Sequence, residues 1–266
     1  MARRPPPLPL GGTPGKGLPQ VGGAAPGPRR RGRCERAGRA VRMTGMRSVA
    51  IVGAGPGLGA AVARRFGREG FGVGLVARDR GRLDAIVDGL TAGGITARGC
   101  TADVRRPAEL AAALRELADA LGTVEVLQYS PVPHRDFMRP VLDTGHRDLV
   151  GPIEFSVYGP VAAVQQVLPG MRRLGRGTIL FVNGGSAAVP HPERAGTSIA
   201  FAAESAYGRL LHDRLAGEGI HVAQLVIPGA ITPGHARKDP DALARTLWAL
   251  HRDRHGFRHY ADDLES

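Results

Sequence analysis

Cysteine is scarce in this 266-residue chain, which contains only Cys34 and Cys100. Two cysteines exclude a disulfide-stapled scaffold and a cysteine-rich zinc site. Their small number is typical of a reducing compartment, and we expect a cytoplasmic location. Long apolar runs are also missing, because no stretch approaches the roughly 18 consecutive apolar residues that a membrane-spanning helix needs. The sequence therefore predicts no membrane partner.

Lysine is equally rare, and its two instances are Lys16 and Lys238. No glycine-rich loop is followed by the lysine of a P-loop, which excludes nucleoside triphosphatases of that type. A Gly-x-Ser-x-Gly elbow is absent as well, which excludes the α/β-hydrolase arrangement. Apolar residues nevertheless make up 42% of the chain, enough for the core of one ordinary α/β domain.

Positive charge is concentrated at the N-terminus. The formal net charge is +12, and residues 1–47 hold eleven Lys and Arg against a single acidic residue, Glu35. Ten glycines, eight prolines and no apolar periodicity in this stretch predict that residues 1–46 are a disordered leader. Its arginines suit phosphates of nucleic acid or anionic lipid, but stacking aromatics are missing. We favour a leader without a function of its own, or an extension upstream of Met43 or Met46, and nucleic acid is not an expected partner.

The remaining residues, 47–266, alternate short apolar segments with segments of helical spacing. Strands and helices in alternation indicate an α/β fold: a single Rossmann-type, doubly wound parallel sheet with helices on both faces. The predicted strands are 48–52, 73–77, 96–100, 124–128, 178–182 and 221–227, and the predicted helices are 60–69, 80–92, 108–121, 161–174, 199–216 and 241–251.

A glycine loop, Gly53-Ala54-Gly55-Pro56-Gly57-Leu58-Gly59, joins the first predicted strand to the first predicted helix. Glycine allows the backbone to turn sharply and to approach a pyrophosphate, and the helix N-terminus supplies N–H donors with partial positive charge. Because the strand–loop–helix context is present, the loop predicts a dinucleotide site at Gly53, Gly57, Leu58 and Gly59. A tight turn without a ligand is the alternative interpretation.

The spacing Gly53-x3-Gly57-x-Gly59 resembles that of the short-chain dehydrogenase/reductase family. Further stretches resemble family motifs in the same order over residues 47–266. They are Val76-Ala77-Arg78, Ala102-Asp103-Val104, Val167-Leu168-Pro169-Gly170-Met171, Gly219-Ile220-His221-Val222 and Pro228-Gly229-x-x-Thr232. The resemblance implies an NAD(P)-dependent oxidoreductase acting on a carbonyl or alcohol. It also implies cofactor contacts by Asp103, Val104, Ser130, Pro228, Gly229 and Thr232.

The end of the second predicted strand bears on which nicotinamide cofactor binds. A carboxylate there binds the ribose 2′-hydroxyl of NAD and repels the 2′-phosphate of NADP. This chain has Ala77 followed by Arg78, whose planar guanidinium matches a phosphate, and then Asp79. The resemblance therefore implies NADP in preference to NAD, with Arg78 at the phosphate. An ordinary solvated surface arginine is the alternative.

The catalytic positions depart from the family pattern. The family uses Tyr-x-x-x-Lys on one face of its fifth helix, with a Ser after strand five and an Asn on the fourth helix. Counting back from Gly219 places Thr197 and Phe201 at the Tyr and Lys positions, and neither side chain can transfer a proton as the Tyr–Lys pair does. Ser156 stands at the Asn position, whereas Ser186 retains the Ser. The resemblance thus implies Ser186 as a catalytic residue.

Three functional interpretations stay open. Another group supplies the proton, with His191, Glu204, Tyr129 or a bound water as candidates. The protein instead binds NADP(H) as a sensor or scaffold without turnover, or hydride transfer is slow and solvent supplies the proton. For Glu204 we favour a solvated helix carboxylate, and for His191 an ordinary loop histidine. We expect an NADP-dependent oxidoreductase, with the sensor or scaffold as the competing class.

Weaker signals come from the C-terminal histidines and the segment after the fourth strand. His251, His255 and His259 repeat at helical spacing, but Gly256 interrupts that helix, and we expect no metal site. Residues 131–152 are proline-rich and loop-like, and they follow a strand at the edge where such sheets bind substrates, so we expect a small-molecule substrate there. The resemblance also implies a homodimer or homotetramer through the fourth and fifth helices.

Overall fold

A computed structural model describes residues 46–264, so the predicted leader lies outside the described residues except for Met46. Seven strands form one parallel sheet in the order β3-β2-β1-β4-β5-β6-β7. The predicted Rossmann-type α/β fold is confirmed. The strands are β1 (Ser48–Val52), β2 (Gly72–Ala77), β3 (Ala97–Thr101), β4 (Val124–Tyr129), β5 (Gly177–Gly184), β6 (Ile220–Ile227) and β7 (Arg258–Tyr260).

Helices connect the strands and cover the sheet. Within the described part of the chain, no helix is long and apolar enough to cross a bilayer. The helices are α1 (Leu58–Arg68), α2 (Arg80–Ala92), α3 (Pro107–Leu121), α4 (Val150–Ile153), α5 (Gly159–Leu174), α6 (Ala195–Leu215) and α7 (Pro240–Asp253), and a π-helical turn (Glu154–Tyr158) joins α4 to α5.

Two hydrophobic clusters, one on each face of the sheet, form the core. Successive strand residues point to opposite faces, so β1 contributes to both clusters. Val49 and Ile51 pack with residues of α1, α2 and α7, whereas Ala50 and Val52 pack with residues of α3 and α5. Because all strands run parallel, the loops after β1, β4, β5 and β6 meet at one edge of the sheet.

Several boundaries differ from the predictions. Strand β7 was not predicted, because three residues are too few to show a period-two pattern. Helix α6 begins at Ala195, four residues before the predicted start. The segment 131–152, predicted as a loop, contains three short 3₁₀ turns and most of α4. The π-helical turn forms next to Pro160, which has no N–H to continue the helical hydrogen bonds. The Gly159 N–H instead donates to the Glu154 carbonyl five residues back.

The three C-terminal histidines do not share a helix face. Helix α7 ends at Asp253, Arg254 takes up the left-handed conformation (φ 53°), and His259 lies on β7. His251 faces the sheet, where its Nδ1 lies 2.9 Å from Thr178 Oγ1. Among residues 46–264, no group of three His, Cys, Asp or Glu side chains is placed to hold a metal ion.

Candidate cofactor and substrate cleft

A cavity of about 570 Å³ opens at the edge of the sheet where the loops after β1, β4, β5 and β6 meet. The N-terminal part of α6 closes one side of it. The cavity thus brings the glycine loop together with the positions that the sequence marks as catalytic. Of the predicted site residues, those that line it are Gly53, Gly57, Leu58, Gly59, Ser130, Ser186 and Gly229, and Thr197 and Phe201 line it as well.

Two glycines of the loop are required by the fold itself. The N–H groups of Gly53 and Ala54 donate to the Val76 carbonyl at 2.9 and 3.0 Å, which ties the loop to the end of β2. Gly53 has φ +90°, and a Cβ there would overlap the backbone of Pro131. A Cβ on Gly59 would lie 2.8 Å from the Ala54 Cα. Both close contacts are with the protein's own backbone, so they exclude larger residues at these two positions whether or not a ligand binds.

Two other glycines of the loop face open space. Gly55 and Gly57 line the cavity, and a Cβ on either would meet no atom within 4 Å. Helix α1 begins after Gly57 with no side-chain cap and no acidic residue in its first turn. The Ala60 N–H donates to the Gly55 carbonyl at 2.9 Å, whereas the N–H groups of Leu58 and Gly59 have no hydrogen-bond partner among residues 46–264. These two groups are left for a ligand, and an anion is the ligand that a helix N-terminus favours.

The end of β2 presents a cation beside this loop. Arg78 directly follows β2, is exposed, and makes no ion pair with any side chain of residues 46–264. The neighbouring carboxylate of Asp79 is used elsewhere: it caps α2 by accepting the Arg82 N–H at 3.0 Å. Arg78 thus has no carboxylate within ion-pair distance among the described residues, although its charge acts on Asp103.

Asp103 and Val104 lie two and three residues after the end of β3 but do not line the cavity. Arg105 donates to Asp103 from its backbone N at 3.0 Å and from Nη2 at 2.9 Å. Partial burial works to raise the pKa of Asp103, but these hydrogen bonds and the charges of Arg105 and Arg78 outweigh it and lower that pKa. Val104 is buried. The predicted adenine contact therefore concerns a carboxylate that is already paired.

The loop after β6 carries the remaining predicted cofactor residues. Pro228 is buried directly after β6, while Gly229 reaches the cavity. Thr232 is exposed outside the cavity lining, and its N–H donates to the Lys238 carbonyl at 3.0 Å. Sequence reasoning missed Arg194, which lines the cavity and precedes α6, because no sequence pattern distinguishes it from the many other arginines of the chain.

The part of the cavity wall that holds the predicted catalytic positions (the predicted catalytic wall) contains one hydroxyl without a partner among the described residues. Ser186 lies in a 3₁₀ turn (Gly185–Ala187) after β5, and its hydroxyl has no hydrogen-bond partner among residues 46–264. Thr197 is buried and donates its hydroxyl to the Arg194 carbonyl at 3.1 Å. Phe201 packs against Ala187 and Val226. Of these three positions, only Ser186 therefore has a free hydroxyl that could hold a substrate oxygen.

Residues 47–243 match the family model described as short chain dehydrogenase. The chain belongs to the short-chain dehydrogenase family. It is 28% identical over 196 residues to a fatty acyl-CoA reductase from Mycobacterium tuberculosis, an alignment that covers 73% of this chain and 66% of that relative. The chain therefore spans just under two thirds of the relative's length. The family resemblance seen in the motifs is confirmed.

Solved structures of short-chain dehydrogenases share the fold. L-sorbose reductase from Gluconobacter frateurii, complexed with NADPH and L-sorbose, superposes with a TM-score of 0.73 at 19% identity, over 84% of this chain and 98% of that chain. An NADPH-bound short-chain oxidoreductase from Pseudomonas aeruginosa PAO1, described as containing an atypical catalytic center, superposes with a TM-score of 0.73 at 19% identity. The superposition covers 82% of this chain and 97% of that chain. At this identity the likeness shows the fold.

Two proton-donor candidates of this short-chain dehydrogenase lie away from the cavity. Tyr129 is 1% exposed, and its hydroxyl donates to the Phe155 carbonyl at 2.5 Å. Burial raises the pKa of Tyr129 well above its usual value. His191 is exposed and accepts the Glu193 N–H on Nδ1 at 3.1 Å, as the cap of a 3₁₀ turn. Neither side chain lines the cavity.

Glu204 is not the solvated carboxylate that we favoured from the sequence. It is 1% exposed, because α6 packs this face against the sheet and the π-helical turn. Burial raises the pKa of Glu204 to about 8, although hydrogen bonds from Asn183 and Ser156 work to lower it. Asn183 lines the cavity, so Glu204 lies one side chain behind the predicted catalytic wall. Its spacing of seven residues from Thr197 was the available signal.

A buried polar network supports Asn183 from behind. The Gln224 Nε2 donates to Asn183 Oδ1 at 2.8 Å and to Ser205 Oγ at 2.7 Å. Arg258, on the unpredicted strand β7, donates to Gln224 Oε1 at 2.9 Å. Because Asn183 Oδ1 accepts from Gln224, the Asn183 NH₂ group is the part of the amide that hydrogen-bonds Glu204.

Proposed function

We propose that this short-chain dehydrogenase is an NADP(H)-dependent oxidoreductase that interconverts a carbonyl and an alcohol on a small molecule. The observation that carries the proposal is one cavity lined both by the glycine loop and by the free hydroxyl of Ser186. Bound NADP(H) would supply or accept the hydride. The open faces of Gly55 and Gly57 and the uncapped start of α1 fit its pyrophosphate.

The preference for NADP over NAD rests on the end of β2. Arg78 is exposed and unpaired there, and Asp79 is engaged as the cap of α2. A guanidinium suits the 2′-phosphate, and β2 ends in Ala77, where a carboxylate would repel that phosphate. The L-sorbose reductase and the Pseudomonas oxidoreductase, both with NADPH, support this choice. Asp103, Val104, Ser130, Pro228 and Thr232 stay proposed cofactor contacts.

Alanine substitutions at two loop glycines distinguish an effect on cofactor binding from an effect on the stability of the fold. We expect Gly55→Ala to leave the thermal unfolding midpoint within about 2 °C and to weaken NADPH binding at least about tenfold, because its methyl group enters the cavity. The matched variant Gly53→Ala should instead lower the midpoint by several degrees, because of its φ of +90° and the contact with Pro131. Thermal unfolding and calorimetric titration measure both effects. Unchanged NADPH affinity in Gly55→Ala would remove the loop from the cofactor site.

Ser186 holds the substrate carbonyl in this proposal. Its hydroxyl donates to the carbonyl oxygen, on which negative charge develops as hydride is added to the carbon. Because the family's Tyr and Lys are replaced, the oxygen then takes its proton from water. Water reaches the cavity past lining side chains that are themselves exposed, Val132, Met138 and Ile231.

Removal of the Ser186 hydroxyl tests this role. We expect Ser186→Ala to lower kcat/KM for NADPH-dependent carbonyl reduction about a hundredfold, while the NADPH dissociation constant changes less than twofold. Absorbance at 340 nm reports the turnover and calorimetry reports the binding. Equal rates for the variant and the wild type would show that Ser186 takes no part.

A second candidate function is NADP(H) binding without turnover. The observation that favours it is that the polar side chains lining the cavity are Ser130, Asn183, Ser186, Arg194 and Thr197, so in the described part of the chain no carboxylate or histidine lines it. Tight NADPH binding together with no NADPH oxidation across a broad panel of aldehydes and ketones would support the sensor or scaffold.

Assembly and location are also proposals. The outer face of α6 exposes Ile199 and Leu210, with Ala202 and Ala206 between them, which supports a homodimer or homotetramer through this helix. A cytoplasmic location, and a basic leader over 1–46 ahead of the domain over 47–266, stay predictions from the sequence.

A further inference from the structure

The cavity lining outside the glycine loop is largely apolar and holds a single cation. Its apolar side chains include Met138, Phe201, Ile231 and Pro233. Arg194 lies among these positions, and it is the only charged residue in the described lining of the cavity.

Arg194 has no counter-ion of its own. Its side chain makes no ion pair or hydrogen bond with any residue in the range 46–264, although Glu193 is its direct neighbour. The nearby Arg139, by contrast, is paired with Asp148. The Arg194 guanidinium is therefore available to a ligand, and its exposed position at the cavity mouth leaves it reachable.

The backbone holds Arg194 in place and adds to its positive potential. Its N–H donates to the His191 carbonyl at 3.0 Å, and its carbonyl accepts the Thr197 hydroxyl at 3.1 Å. Arg194 is also the residue that precedes the 21-residue helix α6, which has neither a side-chain cap nor an acidic residue in its first turn. A helix N-terminus carries partial positive charge, and an unpaired arginine there increases the potential further.

We infer that the substrate carries an oxyanion, a carboxylate or a phosphate, which Arg194 binds while the carbonyl lies at Ser186. This inference rests on the proposed function, since it concerns the substrate end of the same cavity. A guanidinium binds both kinds of oxyanion through paired N–H donors, and the apolar wall takes the carbon chain between the two ends.

Matched pairs of charged and neutral ligands test the inference on the full-length protein saturated with NADP⁺. The pairs are 4-oxopentanoate and its methyl ester, 2-oxo-4-phenylbutanoate and its ethyl ester, and dihydroxyacetone phosphate and dihydroxyacetone. We expect at least one anion to bind tenfold or more tightly than its neutral partner by calorimetry. The first two pairs test whether a carboxylate strengthens binding, and the third pair tests whether a phosphate does.

Variants assign the effect to the residue. Arg194→Ala should abolish the preference for the anion, Arg194→Lys should retain part of it, and Arg135→Ala should leave it intact, because Arg135 is an exposed arginine on a neighbouring turn outside the cavity. The affinity for NADP⁺ should stay unchanged in all three. Three results would each overturn the inference: no anion preferred over its neutral partner, equal losses in Arg194→Ala and Arg135→Ala, or a fall in NADP⁺ affinity in Arg194→Ala. Failure of the wild type to bind NADP⁺ is a separate result and would overturn the proposed function instead.

Discussion

The Glu204→Gln variant should be more stable than the wild type at pH 8 and lose less stability between pH 5.5 and pH 8. Glu204 is fully buried, and burial raises its pKa from 4.5 to about 8. In the unfolded chain the carboxyl ionises near pH 4.5, so between the two values the folded state binds more protons than the unfolded state. Stability is then lost as pH rises. The loss between pH 5.5 and pH 8 is about 3 kcal/mol.

Urea unfolding of both proteins at the two pH values measures this difference. Other groups act on the wild type and the variant alike: His221 and His251, whose pKa values are lowered to about 4 chiefly by burial, destabilise the folded state as pH falls below about 6.5. Comparing the two proteins therefore isolates Glu204. The control Glu193→Gln, at an exposed carboxylate before α6, should follow the wild-type pH dependence. The same dependence in Glu204→Gln would contradict the burial of an uncharged carboxyl.

Arg78→Ala should change which cofactor binds. We expect the affinity for NADPH to fall about thirtyfold, near 2 kcal/mol, because the guanidinium is the charge-assisted partner of the 2′-phosphate. The affinity for NADH, which lacks that phosphate, should stay within about twofold. Calorimetric titration of both cofactors measures the change.

The control for Arg78 is Arg115→Ala, which removes the same charge from an exposed position on α3. It should leave both affinities unchanged, since only a charge beside the bound phosphate resists screening by salt. Equal losses of NADPH and NADH affinity in Arg78→Ala would mean that Arg78 acts on the fold or on the shared part of the cofactor.

The strands and helices were predictable because each carries its own local pattern. Apolar runs such as 48–52 and the strand–loop–helix context of the glycine loop depend only on neighbours in sequence, and six strands along the chain were predicted from such patterns. Strand β7 was not predictable from the sequence, because Arg258–Tyr260 has exposed ends and is a strand only through its pairing with β6. This strand therefore depends on a tertiary contact, and residues 258–260 carry no local sequence pattern that predicts it.

The site residues that belong to a recognisable motif were predictable from the sequence. Those whose chemistry depends on burial in the folded chain were not. The glycine loop, Ser186, Thr197 and Phe201 meet in one cavity, as counting along the chain predicts. The burial of Glu204 was missed, since a carboxylate among alanines reads as solvent-facing until the packing of α6 is known. Arg194 was missed for a similar reason: only the fold shows which of many arginines lines the cavity without a partner.

The most direct test of the account is a calorimetric titration of the wild-type protein with NADPH and with NADH. We predict that NADPH binds at one site per chain and at least about tenfold more tightly than NADH, because the cavity offers a glycine loop and an uncapped helix N-terminus, and Arg78 lies beside that loop at the end of β2. Absence of binding by either cofactor, or tighter binding of NADH, would contradict the assignment of this cavity to NADP(H).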